Sequence, residues 1–148
     1  MKFKSSLFLF LFYSILSNAQ SNFCTSATTI VVTANCTSPL SGSTVGATQS
    51  LSGCSGNADD DVWYKFVATT TAHVLTVSSS ASFDAVVELF SGTCATLSTL
   101  SCKNQTGNAG TEIIFASGLT IGNTYFIRVY HSGVMHIVKL PEPAPTPE

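Results

Sequence analysis

Asp61-Val62-Trp63-Tyr64-Lys65-Phe66-Val67 decides the fold. Its side chains alternate with the period of a strand, Val62, Tyr64 and Phe66 on one face and Trp63, Lys65 and Val67 on the other. Working outward, the same β-rich patterning recurs at 28–33 (TTIVVT), 73–77 (HVLTV), 85–90 (AVVELF), 111–115 (TEIIF) and 124–130 (TYFIRVY). Turn signals separate the runs: Ser91-Gly92, Gly107-Asn108, Gly110, Ser117-Gly118 and Gly122-Asn123. No stretch after residue 20 keeps a 3.6-residue apolar period. Many short strands in one domain-sized chain predict an all-β sandwich or barrel.

Charge sets the expected facing. With Lys65, Glu88 and Arg128 turned to water, period two buries Val62, Tyr64, Phe66, Val87, Leu89, Tyr125, Ile127 and Val129. It also turns Trp63, Phe90, Phe126 and Tyr130 outward. Four outward rings among polar groups would form a platform for sugar rings or proteins. The competing expectation, that loops or a terminal strand cover them, is favoured because large exposed apolar patches are uncommon on monomers.

The N-terminus reads as an export signal. Lys2 and Lys4 precede an apolar run at 7–16, and Ser17-Asn18-Ala19 places small residues for cleavage after Ala19. Ten residues at helical rise cover about half of the ~30 Å hydrocarbon core, so the run is no membrane span. The expected organisation is a signal peptide at 1–19, a β-domain at 20–140 and a Pro-rich tail at 141–148. Alternating prolines make that tail an extended stalk of roughly 25 Å. It reads as a spacer, a docking peptide or a link to further domains of a longer parent.

Charged residues are only 9% of the chain, and 40 Ser and Thr supply the surface polarity instead. Loss of Lys2 and Lys4 takes the net charge from −2 to −4. So weak a field excludes binding to nucleic acid or anionic lipid. The five cysteines with an export signal imply an oxidising compartment. Locality favours Cys24–Cys36 and Cys94–Cys102 bridges, leaving Cys54 over.

No catalytic constellation is present. His73, His131 and His136 lack ligand spacing, and no G-x-S-x-G occurs. Asp84 and Glu88, as a glycosidase pair, would stand about 13 Å apart along a strand, too far for that chemistry. Asp59, Asp60 and Asp61, completed by Asp84 or Glu112, would offer oxygens to calcium. A solvated turn is the favoured alternative.

The motifs at 61–66, 84–94, 100–102 and 122–129 together resemble the bacterial pre-peptidase C-terminal (PPC-like) domain. The closest likeness is to its cysteine-containing version in secreted multidomain bacterial proteins, often exported by the type IX system. The resemblance implies a jelly-roll-like antiparallel β-sandwich and a non-catalytic accessory module at the cell surface or beside a secreted enzyme. It implies extracellular polysaccharide or protein as partner, and calcium in some relatives. Lys103-Asn104-Gln105 stands where the family usually has acidic residues, and 133–138 is a loose match to its final strand. A purely structural spacer or adhesin segment is the competing function; a hydrolase ranks below both.

Overall fold

The computed structural model describes residues 21–33 and 39–133. The expected signal peptide, final strand and Pro-rich tail, and Cys36, lie outside them.

Seven strands follow a short 3₁₀ turn at Cys24–Ser26: β1 Thr28–Thr29, β2 Val62–Val67, β3 Ala72–Ser78, β4 Ala85–Thr93, β5 Thr96–Lys103, β6 Thr111–Ser117 and β7 Thr124–His131. One sheet has the order β1-β2-β7-β4-β5 and the other pairs β3 with β6. All pairings are antiparallel except β1 with β2. The two sheets form the predicted sandwich. Its interior holds Val62, Tyr64, Phe66, Val87, Leu89, Tyr125, Ile127 and Val129 from the large sheet, against Ile114 and Ala116 of β6. The inward set read from period two is therefore the set that is buried.

β5 was not anticipated. TLSTLSCK has few β-branched or aromatic residues, and a local Cys94–Cys102 bridge would have made it a loop. Instead Thr93 pairs with Thr96 across a tight hairpin. Gly92 sits at φ 95°, and a Cβ there would lie 2.2 Å from the Thr96 carbonyl, so only glycine fits. An extended β5 carries Cys102 roughly 25 Å from Cys94, far beyond disulfide reach. The bridges are Cys24–Cys94 and Cys54–Cys102, which corrects the local pairing and gives Cys54 a partner.

On the outer face of the large sheet the rings are covered, as the favoured expectation had it, and the second correction concerns the charges among them. β6 alternates buried and exposed along its length, as a sheet with one wet face should. In β4 and β7 every residue of Ala85–Phe90 and Tyr125–Tyr130 is buried. Both faces of the large sheet are therefore covered in its middle strands. The cover comes from the N-terminal turn and the segment at 50–58. Ala58 packs on Val86 and Tyr130, and Cys24, Cys94 and Leu97 pack on Trp63, Phe90 and Phe126.

Candidate functional site

Strand register lays the outer face out in rows. Trp63, Arg128 and Glu88 stand side by side across β2, β7 and β4, with Cys102 of β5 next to Glu88. The adjacent row is Lys65, Phe126 and Phe90. Sequence reasoning sent the charges of these rows to water. The structure leaves Lys65 half-buried but buries Arg128 and Glu88 completely.

Arg128 is satisfied at all five N–H donors. Nε donates to Glu88 Oε2 at 2.6 Å, and Nη2 also reaches that oxygen. Nη1 donates to Asp61 Oδ2 at 3.0 Å and to the Leu51 carbonyl at 2.8 Å, and Nη2 to the Ser52 carbonyl at 2.8 Å. The guanidinium carbon lies 5.0 Å from the Tyr130 ring centroid and 5.8 Å from that of Trp63. One side chain thus ties the covering segment to the sheet. Asp61 Oδ2 also accepts from the Ser50 amide and hydroxyl, and Ser50 Oγ accepts from Trp63 Nε1. Burial pushes the Glu88 carboxyl above its ordinary value despite the Arg128 charge beside it. Tyr130 completes the clamp, donating to the Ser55 carbonyl at 2.8 Å and accepting from the Ser55 amide.

The four rings do not form an open platform. Trp63, Phe90, Phe126 and Tyr130 are only 1%, 4%, 8% and 0% exposed. They are the apolar half of a second core whose polar half is the Arg128 network.

The acidic residues have other partners as well. Asp59 accepts from Asn57 Nδ2, Asp60 from the His131 amide, and Asp61 from Arg128. Burial pushes the Asp60 carboxyl up, against the Thr44 and His131 hydrogen bonds that hold it down. Asp59, Asp60, Asp61 and Asp84 each keep one buried oxygen without a hydrogen-bond partner. Among the described residues, no group of three or more His, Cys, Asp or Glu side chains is placed to hold a metal ion. Of the expected calcium set of Asp59, Asp60, Asp61 and Asp84, Asp61 also serves Arg128 and Asp60 the end of β7. A solvated turn does not describe Asp60 and Asp61 either, since both are buried.

Glu112 has a structural task. Its Oε1 accepts from the amides of Gln105 and Thr106 and the Thr106 hydroxyl, at 2.9, 2.6 and 2.7 Å. Burial pushes this carboxyl up, but the Thr106 and Gln105 bonds and the Lys103 charge outweigh it, so it lies below its ordinary value. A lowered carboxyl contributes stability that is present above its unfolded value of 4.5 and lost as pH falls through the folded one. Glu112→Gln is expected to cost about 1–3 kcal/mol at neutral pH. The loss should shrink in acid, as chemical denaturation at pH 7 and pH 3 would show.

The cover stops at the Lys65 row. There a recess of about 370 Å³ opens at one end of the large sheet. Thr29, Lys65, Thr93, Cys94, Thr124 and Phe126 are among the residues that line it. A smaller recess of about 230 Å³ lies between Phe23, Ser50, Trp63 and Leu97, and Cys24 and Cys94 line it too. The Cys24–Cys94 bridge thus contributes to both. Sequence reasoning did not find these recesses, because they form where β1, β2, β4 and β7 meet, and only register brings those residues together.

Over residues 20–139 the chain matches the family described as galactose binding domain-like, associated with type IX secretion. The chain belongs to this family. No curated protein and no solved structure matches it. Galactose-binding-domain-like modules of this association belong to secreted or cell-surface proteins, which agrees with the β-sandwich, the two disulfides and the expected export. Domains of the galactose-binding-like type are typically non-catalytic binding modules. The PPC-like resemblance holds at this coarser level, a β-sandwich accessory module, while the family is the galactose-binding-domain-like one. Among the described residues no helix is long and apolar enough to cross a membrane.

Proposed function

We propose that the domain is a non-catalytic carbohydrate-binding module of a larger secreted protein, and that the recess beside Lys65 receives the sugar. The family carries the class of function. The observation that carries the site is the composition of the recess: Thr29, Thr93 and Thr124, Lys65 and Phe126 around about 370 Å³. Hydroxyls and an ammonium match the polar edge of a pyranose, and an apolar floor matches its C–H face. Of the aromatic cluster only Phe126 reaches the recess; Trp63, Phe90 and Tyr130 do not line it. The expected partner is an extracellular polysaccharide or the glycan of a surface protein.

A glycan array probed with the purified domain tests this. Binding to hexose polymers, abolished by Thr124→Trp at the recess mouth without loss of melting temperature, is the expected result. Binding that survives a tryptophan in the recess places the ligand elsewhere.

A spacer role in a surface protein is the second reading. It is favoured by the outer face of the small sheet, where Val74 and Phe115 sit opposite each other at 53% and 77% exposure. An apolar pair of this kind suits contact with a neighbouring domain.

A further inference from the structure

The described cations differ in their surroundings. Arg128 is enclosed by Asp61 and Glu88, and Lys103 contributes its charge to Glu112. Lys65 has no ion-pair partner among the described residues, and no acidic side chain lines its recess. Its neighbours in register are Thr29 on one side and Phe126 on the other, neither of which carries charge. The chain as a whole is acidic, with a net charge of −2. An uncompensated ammonium in an open concavity of such a protein is a local inversion of sign.

We propose that the recess selects an acidic sugar, with the carboxylate of a uronic acid residue paired to Lys65 and the ring hydroxyls on Thr29, Thr93 and Thr124. This rests on the carbohydrate-binding reading above and names its substrate class. A neutral hexose would use the threonines and leave the ammonium with water. A uronate replaces that water with a charge-assisted hydrogen bond, which is about twice as strong as a neutral one. Lys65 is anchored on a strand inside a sheet, so the charge is presented from a rigid element. The half-buried setting weakens solvent screening of the pair.

Titration calorimetry of the disulfide-intact domain separates the possibilities. The probes are an oligogalacturonate, its methyl ester and a neutral galactan oligosaccharide of equal length. The oligogalacturonate should bind about tenfold more tightly than either neutral probe. Lys65→Gln should erase that difference, lowering acidic-sugar affinity about tenfold and that of the neutral probes much less. Lys65→Arg should retain the preference, and added salt should weaken the acidic probe alone. Equal affinity for all three probes, or an acidic preference that survives Lys65→Gln, overturns the proposal and leaves the carbohydrate-binding reading standing. Failure of all three to bind, with the domain folded, overturns both.

Discussion

Removing the Cys54–Cys102 bridge by double alanine substitution is expected to lower the melting temperature by roughly 15 °C. The bridge spans 48 residues, and closing a loop of that length in the unfolded chain is worth about 4 kcal/mol in the chain-entropy model. For a domain of this size each kcal/mol moves the midpoint by about 4 °C. The Cys24–Cys94 bridge, over 70 residues, contributes a similar amount. Small domains have only about 5–15 kcal/mol in total, so loss of both bridges brings this one near the unfolding threshold. The bridges also hold the segment that covers the outer face. Their loss should therefore expose Trp63 and red-shift its fluorescence before global unfolding. Calorimetry of single and double variants checks the pairing as well. Cys54→Ala and Cys102→Ala should each cost about the same, and combining them should add nothing. Cys94→Ala with Cys102→Ala should cost the sum of two bridges.

The second large effect is at Arg128. Arg128→Met removes the only buried cation among the described residues and leaves Asp61 and Glu88 as uncompensated charges; the Ser52 carbonyl loses its bond to Arg128 and the Leu51 carbonyl keeps the one from Gln49 Nε2. Breaking a buried ion pair from one side typically costs about 3–5 kcal/mol. Arg128→Lys should also lose most of this, because an ammonium cannot reproduce the planar fork that reaches four acceptor groups at once. Adding Glu88→Gln to Arg128→Met should recover part of the loss, since one buried charge disappears with it. Urea denaturation of the three variants measures these terms. A loss below about 1 kcal/mol for Arg128→Met would mean that the cover does not depend on the clamp.

The inner face of the sandwich was legible because alternation there has a single meaning. Tyr64, Ile127 and Leu89 face a second sheet, and their neighbours face away. On the outer face the cover over the rings was the favoured expectation, but Arg128 and Glu88 were misplaced because charge was taken as a sign of water. A charged side chain can also mark a position where another layer of the same chain supplies partners. The sequence held one hint of this. AVVELF and YFIRVY are nearly continuous apolar runs with one charge each, the pattern of strands covered on both sides. A half-wet strand reads more like β6, where Thr111, Ile113, Phe115 and Ser117 face out. The disulfide pairing was illegible for a related reason. It depends on β5 being extended, and the serines of that stretch suggest a loop. The Lys65 recess was beyond sequence reasoning, since Thr29, Lys65, Thr93 and Thr124 share no local pattern.

The central claim is that a covering segment, stapled by two long-range bridges and clamped by Arg128, makes the large sheet a middle layer. Mass spectrometry of a non-reduced pepsin digest of the secreted protein tests it most directly. The account predicts linked peptides joining Cys24 to Cys94 and Cys54 to Cys102. Peptides joining Cys24 to Cys36, or Cys94 to Cys102, would contradict it.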